Sequence, residues 1–409
     1  MERPNLLVLS STFPRWNDDT EPRFVFDLCQ RLKSRCNIHV LAPHASGART
    51  FEELHGLKIT RFRYAPARLE SLAYTGGMLA RIRNNPVRLL LLPGFVLSAI
   101  MATRRLLKTQ RVALVHAHWI VPQGLVAIAS QLGSGTRVPV LCTAHGGDLY
   151  ALRGRFFVML KRWILRRSDG LTVVSAAMHA DAMRLTRWPE SRCEVIPMGT
   201  DLRNLFRPSP EGAPRGKRLL FVGRLVPKKG LDYLIEALAL VRAHHPQATL
   251  DVVGSGPEEP RLRARAASLG LWHAIRFHGA VSHAALPQFY RGAAITVVPS
   301  VIDKDGDREG FGLVAVEALG CGCAVIASDL PAIGDTIRDG VTGLLARAAD
   351  AAHLAERIAS LLEQPALRAK LAAQGRAYVL ARYDWEHVAA RYGELISALI
   401  ENHHRHAGK

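Results

Sequence analysis

Residues 293–318 hold the pattern that the rest of the chain has to accommodate. The run AAITVV at 293–298 has the length and β-branched content of a buried strand. A polar, glycine-bearing loop follows at 303–310, and from 311 to 319 apolar residues recur at helical spacing. A strand therefore feeds a loop, and the loop feeds a helix N-terminus. Such an N-terminus offers unpaired backbone N–H groups and a partial positive charge, which suits a phosphate or a sugar hydroxyl. Two acids frame it. Glu309 stands just before the helix and Glu317 inside it, on about the same face as Leu313. Val314, Val316, Ala318 and Leu319 surround Glu317 in sequence, and an unpaired charge in that setting is costly. A carboxylate with a bound partner explains Glu317 better than a solvated surface acid does.

The same alternation runs along the whole chain, whose 409 residues point to two domains. Strand-like runs at 5–10, 38–42, 57–62, 112–115, 138–143, 171–175 and 193–197 make up the first half, with a polar loop at 11–23 and a helix at 24–32. The Pro- and Gly-rich segment 206–217 reads as a linker. Strands then restart at 218–222, 248–253, 276–279 and 321–327, with a helix at 231–244. Two helices within 349–381 split near Pro365, and a final helix covers 384–402. The expected domains are 1–205 and 218–382, joined by 206–217, with 383–409 as a separate C-terminal helix.

Charge narrows the partners. The formal net charge is +19, which suits nucleic acid, an anionic membrane surface or anionic substrates. Residues 66–111 mix apolar side chains with arginines, and 152–168 (LRGRFFVMLKRWILRRS) forms a basic amphipathic helix. For 66–111 a membrane surface or lipid-linked acceptor competes with ordinary packing in which Arg stems cover the core; for 152–168 membrane docking and packing into the domain are expected together, on different faces. The apolar run 89–102 is interrupted by Pro93 and Gly94 and reads as too short to span a bilayer. Six cysteines without a C-x-x-C pair are expected as reduced core thiols, and no signal peptide precedes the first strand, so a cytoplasmic location is expected.

Several loops carry candidate chemistry. Arg224 and Lys229 flank the tight loop after 218–222, with Lys228 beside them; cations so placed can hold a diphosphate and absorb the charge it gains on leaving. Gly254 and Gly256 form a G-x-G turn, weak by itself as a nucleotide signal. His116 and His118 would point the same way from a strand end, but no Cys or carboxylate follows at zinc spacing. Asp303 and Asp305 form a D-x-D read as loop polarity rather than a metal clamp. No metal is expected, and the 403–406 histidines read as a frayed tail. His145 stands beside Gly146 and Gly147 at a strand's carboxyl end, where open α/β sheets bind ligands.

The string EGFGLVAVE, within PS-x-x-D-x-D-G-D-x-EGFGL-x-x-x-EA, resembles the E-x7-E signature of the retaining glycosyltransferases of family four, which have the GT-B fold of two Rossmann-like domains across a cleft. G-R-L-x-x-x-K-G at 223–230 is similar to that family's diphosphate loop, H-x-H-W at 116–119 to its cleft edge, and I-P-M-G-T-D at 196–201 to its hinge-proximal I-P-N-G-x-D, with Met198 in place of Asn. The resemblance implies that Glu309 faces the donor sugar and Glu317 the ribose. The backbone of Phe311, Gly312 and Leu313 would face the sugar and diphosphate, and His145 would lie near the sugar, with Gly146 and Asp148 shaping its loop. It further implies that Gly254 and Gly256 lie beside the nucleotide, that residues near 276–279 sandwich the base, and that the last helix crosses back to the first domain. The loop 11–23 departs from the family in carrying Asp18-Asp19-Thr20 where a Gly is usual. The implied activity is retaining, metal-independent hexosyl transfer from a UDP- or GDP-linked sugar, without a cofactor. The acceptor would be a glycan or lipid-linked intermediate of envelope polysaccharide synthesis, with peripheral contact to the inner membrane face. A sugar-nucleotide epimerase of the same fold, a non-catalytic scaffold and a basic nucleic-acid binder are the alternatives; no nucleic-acid motif is present, so none is expected as partner.

Overall fold

The computed structural model describes residues 3–407 except 18, 20, 75, 76, 136, 151, 153, 210–215 and 305. Asp18, Thr20, Arg153, Asp305 and half of the expected linker thus lie outside the described residues. The chain divides into two compact units. Unit 1 comprises Met1–Val174, Met178–Ile196 and Val388–Lys409; unit 2 comprises Ser175–Ala177 and Pro197–His387.

Unit 1 holds an eight-stranded sheet: β1 (Asn5–Leu9), β2 (Asn37–Pro43), β3 (Phe51–Leu54), β4 (Leu57–Phe62), β5 (Val112–His118), β6 (Val140–Ala144), β7 (Gly170–Val173) and β8 (Cys193–Val195). Their order is β3-β4-β2-β1-β5-β6-β7-β8. All pairings are parallel except the β3–β4 hairpin at one edge. That hairpin escapes sequence reading because FEEL is short and half polar. The segment Val388–Lys409 belongs to this unit: Arg391 pairs with Glu194 at 2.7 Å, and a Cβ on Gly170 would lie 3.3 Å from Leu399.

Two helices of unit 1 differ from expectation. Pro93 does not interrupt the apolar run. It falls in the first turn of helix Leu92–Thr109, where a missing N–H costs nothing. Gly94 there meets the Tyr64 carbonyl so closely that a Cβ would lie 2.8 Å from it. With the 3-10 turns of Pro86–Leu91 the helical segment reaches 24 residues, long and apolar enough by composition to cross a membrane. Its inner face, Phe95, Ala99, Thr103 and Leu106, is nevertheless buried in the unit. Helix Arg155–Arg167 turns part of its charge inward. Lys161 is 2% exposed and donates to the carbonyls of Asp148 and Leu149 at 3.2 and 2.8 Å, and Arg162 Nε donates to the Leu185 carbonyl at 2.8 Å. Lys161 thus braces the unit from within, and the half-buried Arg162 ties its helix to the end of the helix Ala176–Thr186.

Unit 2 holds β9 (Arg218–Val222), β10 (Thr249–Val253), β11 (Ile275–Gly279), β12 (Ile295–Val298), β13 (Ala324–Ser328) and β14 (Leu344–Ala346), all parallel in the order β11-β10-β9-β12-β13-β14. Strands covered on both faces read as continuous apolar runs, and these do. Leu219, Phe221, Leu250, Val252, Ile295 and Val297 pack with Leu234, Ile235 and Leu238 of helix Leu231–His244. Each such side chain, fully buried, contributes on the order of 2 kcal/mol. All six cysteines are buried thiols, none joined in a disulfide, and burial pushes the Cys142 thiol up to about 12.

Each sheet has a point where strand order reverses: β1 beside β5 in unit 1, β9 beside β12 in unit 2. Loops leaving the carboxyl ends of two such strands diverge and open a crevice, the usual place for a ligand in this architecture.

Candidate active site

In unit 2 the loops leaving β9 and β12 carry the predicted cations and acids. The β9 loop is laced to the β10 loop by backbone hydrogen bonds from Gly223 to Val253 and Leu225 to Ser255, both 3.0 Å, and from Glu258 to Leu225 at 3.1 Å. This crossing explains both glycines of the G-x-G turn. A Cβ on Gly254 would lie 1.9 Å from the Gly223 carbonyl oxygen, and one on Gly256 would lie 2.3 Å from that of Leu225. The turn is thus the buttress of the β9 loop. Gly254→Ala, which also meets a φ of +131°, should cost on the order of 3 kcal/mol in denaturant unfolding; stability within a few tenths of wild type would show that the two loops separate freely.

The β9 loop closes in a 3-10 turn, Pro227–Lys229, and meets the β12 loop through the Val301 N–H, which donates to the Lys228 carbonyl at 2.9 Å. Two ion pairs join the loops above this contact. Lys228 pairs with Asp307 at 3.0 Å, and Lys229 donates to Glu309 Oε2 at 2.5 Å. The Glu309 side chain is 15% exposed. Burial pushes its carboxyl up, but the Lys229 charge and hydrogen bond, helped by Lys228 and the Gly310 N–H, more than offset this and hold it at about 2. Glu309 is therefore an anion at any physiological pH. Arg224 lies exposed on the same β9 loop. Asp303 is engaged within its own loop, its Oδ1 accepting from the Asp307 N–H at 2.8 Å.

Sequence reading starts the following helix at Phe311; the structure starts it at Leu313. Gly312 takes the left-handed conformation at φ +84° to make the entry turn, and a Cβ there would lie 2.7 Å from Ile333. A glycine N-cap offers the first-turn N–H groups no side-chain acceptor, which leaves them to other acceptors. Phe311 is buried edge-to-face against Tyr383 at 5.4 Å. Its side chain anchors the loop, so only its backbone is in play.

Glu317 stands one turn inside, 4% exposed. Its carboxylate accepts from the buried Tyr290 hydroxyl at 2.7 Å and lies 3.4 Å from His283 Nε2. Burial, followed by the nearby Glu317 charge, pushes the Tyr290 phenol well above its ordinary range, so it remains a donor. Neither partner was legible in the sequence. Tyr290 and His283 come from a different helix and turn, and no spacing rule ties them to 317. Of the unit 2 candidates, then, Lys229 and Glu309 meet directly, while Glu317 is held by groups that sequence reasoning missed.

His145 belongs to unit 1 and sits where the β6 loop begins. Strand β5 runs three residues further than predicted and carries His116 and His118 on it, rings 4.2 Å apart. His116 Nε2 meets Thr143 Oγ1 at 2.7 Å, and His118 Nδ1 meets His145 Nε2 at 3.0 Å. Phe24 and Trp119 pack on the His145 ring at 4.7 and 5.1 Å. Burial drives all three imidazoles down, His116 and His145 to about 3, so they are neutral at pH 7. Asp148 fixes the loop by accepting from the backbone N–H of His145 at 3.1 Å and Ile120 at 2.7 Å. Among the described residues no group of three or more His, Cys, Asp or Glu is placed to hold a metal. Among the described residues of 11–23, the Asp19 carboxylate grips the Arg15 guanidinium at 2.7 and 2.8 Å and its N–H at 2.8 Å.

Comparisons with known proteins agree with this arrangement. Residues 22–204 match the family model described as Glycosyltransferase Family 4, and residues 204–378 the one described as Glycosyl transferases group 1. The chain is 29% identical over 335 residues to a D-inositol 3-phosphate glycosyltransferase of Thermobispora bispora, covering 76% of each. It is 30% identical over 319 residues to a GDP-mannose-dependent alpha-(1-6)-phosphatidylinositol monomannoside mannosyltransferase of Mycobacterium tuberculosis, covering 75% of this chain and 80% of that one. Among solved structures, a sucrose-phosphate synthase from Thermosynechococcus elongatus superposes with a TM-score of 0.80 at 25% identity over 98% of this chain and all of that one. With a relative of this identity and coverage, and with glycosyltransferase models matching both halves, the chain belongs to the family 4 glycosyltransferases, enzymes with the GT-B fold that move a sugar from a nucleotide-sugar donor.

Proposed function

We propose that the protein is a retaining, metal-independent hexosyltransferase whose nucleotide sugar, UDP- or GDP-linked, binds at the strand-order reversal of unit 2. The observation that carries this is the Lys229–Glu309 pair on the loops leaving the carboxyl ends of β9 and β12, with a helix that starts four residues beyond Glu309 and has no side-chain cap. In the proposal Lys229 and Arg224 take the charge of the departing diphosphate. Glu309, an anion held in place, orients sugar hydroxyls. The backbone of Phe311, Gly312 and Leu313 faces the sugar and diphosphate, Glu317 binds the ribose, and His145 contacts the sugar. Gly254 and Gly256 act through the loop they buttress. No covalent nucleophile is assigned; the leaving phosphate itself takes the acceptor proton as the new bond forms on the same face.

For the acceptor we propose a glycan or lipid-linked intermediate in envelope polysaccharide synthesis, reached from the cytoplasmic side with peripheral contact to an anionic membrane. The phosphatidylinositol monomannoside for which the Mycobacterium tuberculosis mannosyltransferase is named supports a lipid-linked class. The test is a panel of nucleotide sugars, first for thermal stabilisation, then for release of nucleoside diphosphate with candidate acceptors. Release that requires acceptor, an α-linked product by NMR and full rate in EDTA is the expected result. Conversion of the donor sugar without an acceptor would instead identify an epimerase, a β-linked product would remove retention, and loss of rate in EDTA would remove metal independence.

A further inference from the structure

The segment Pro86–Thr109 leaves one stripe of itself without protein cover. Leu90, Pro93, Leu97 and Met101 recur at three- and four-residue spacing and are all exposed, Leu90 at 79%, Leu97 at 58% and Met101 at 55%. That spacing puts them on a single helical face. The opposite face, Phe95, Ala99, Thr103 and Leu106, is buried in unit 1. Val87 and Leu89, in the preceding turns, are also exposed, at 68% and 54%. Scattered exposed leucines need no explanation, but a continuous row of them on one element does.

Charge identifies what covers the row. Between Glu70 and Asp148 the sequence contains no Asp or Glu, and eight Lys or Arg. The exposed stripe itself continues from Met101 into Arg105 and Lys108, both exposed. Arg104 beside them is engaged elsewhere: it donates to the carbonyls of Ala129, Ser130 and Leu132 and so braces the end of helix Leu125–Gln131. A segment that carries cations and no acids repels a second copy of itself and attracts anionic headgroups. The inner face packs on protein, since Phe95 and Thr103 are 0% exposed within the unit, which leaves the outer stripe to meet lipid. An amphipathic helix anchored along one side and apolar along the other lies in the interface plane. The row from Leu90 to Met101 is about 17 Å long.

We propose that this stripe, rather than helix Arg155–Arg167, is the surface by which the enzyme docks on an anionic bilayer, its Leu and Met side chains entering the headgroup boundary and Arg105 and Lys108 pairing with lipid phosphates. The inference deepens the peripheral membrane contact proposed above and rests on that part of the reading alone. The site of sugar transfer does not enter it.

Flotation of the full-length protein with phosphatidylcholine vesicles, with and without phosphatidylglycerol, tests it. Wild type should float with the anionic vesicles, less so as salt rises. Leu90→Glu/Leu97→Glu should lose at least about tenfold in vesicle affinity, with unchanged circular dichroism and melting temperature because both side chains are exposed. Arg105→Glu/Lys108→Glu should shift the salt dependence. If wild type binds no anionic vesicle, the membrane contact itself is wrong. Wild-type binding that survives in Leu90→Glu/Leu97→Glu would leave the contact standing but place it on another surface. A wild-type dimer in sedimentation velocity that becomes monomeric in that variant, with no vesicle binding by either protein, would assign the stripe to self-association and overturn the proposal.

Discussion

Lys229→Ala should reduce kcat/KM on the order of a thousandfold, the scale set by removing one pre-placed charge donor from a leaving group, and should weaken the acid response of the fold. The first effect follows from the proposed diphosphate contact. The second follows from what the lysine does without substrate. Glu309 titrates at about 2 in the folded enzyme against an ordinary value of 4.5. A carboxyl so depressed stabilises the fold fully above its unfolded value, by about 3 kcal/mol, and this is lost as pH falls from about 4.5 toward 2. In Lys229→Ala the burial that already pushes Glu309 upward is opposed only by Lys228 and the Gly310 N–H. Its folded value rises, so the stability gained above pH 4.5 shrinks and, once the folded value passes the unfolded one, reverses sign. Melting temperature against pH, measured for both proteins between pH 3 and 7, should fall on acidification in wild type by distinctly more than in the variant. Normal turnover in the variant would remove the diphosphate role. Parallel melting curves would show that the ion pair does not govern the acid response.

The same pair shows what could be read before any coordinates. Cations at 224 and 229 and acids at 309 and 317 were visible because each follows a strand-length apolar run, and strand ends are where parallel sheets gather ligand groups. That Lys229 and Glu309 meet was not legible. Their contact spans eighty positions and depends on β9 lying beside β12, which alternation alone does not specify. The G-x-G turn illustrates the converse. Its glycines were read for nucleotide binding, yet their missing side chains are already accounted for by a backbone crossing at Gly223 and Leu225. Pro93 misled for a local reason: proline breaks a helix interior but suits a first turn, and the boundary at Leu92 was not visible in an unbroken apolar run. Helix Arg155–Arg167 read correctly as amphipathic, but amphipathicity does not say which cations reach solvent, and Lys161 spends its charge on two buried carbonyls.

Glu317 separates a structural from a substrate-binding role most sharply, because the fold already gives its carboxylate a buried partner, the Tyr290 hydroxyl. Its carboxylate is the acceptor for Tyr290, whose ring is 0% exposed. Glu317→Ala therefore removes two things at once, and leaves a buried hydroxyl unsatisfied at a cost of about 1–3 kcal/mol. Activity lost in that variant would say little about ribose. Glu317→Gln keeps the shape and an oxygen to accept from Tyr290, so its melting temperature should stay near wild type. It surrenders the charge that makes a bond to a ribose hydroxyl strong, so donor affinity should fall about ten- to a hundredfold, the equivalent of about 1.5–3 kcal/mol for a hydrogen bond to a charged group. Tyr290→Phe should show the opposite split: a lower melting temperature, with donor affinity changed by less than in Glu317→Gln. Calorimetric titration of the nucleoside diphosphate into the three proteins resolves the two roles. If Glu317→Gln binds as tightly as wild type, the carboxylate serves the fold through Tyr290, and the ribose contact must be sought on another residue of the β12 loop.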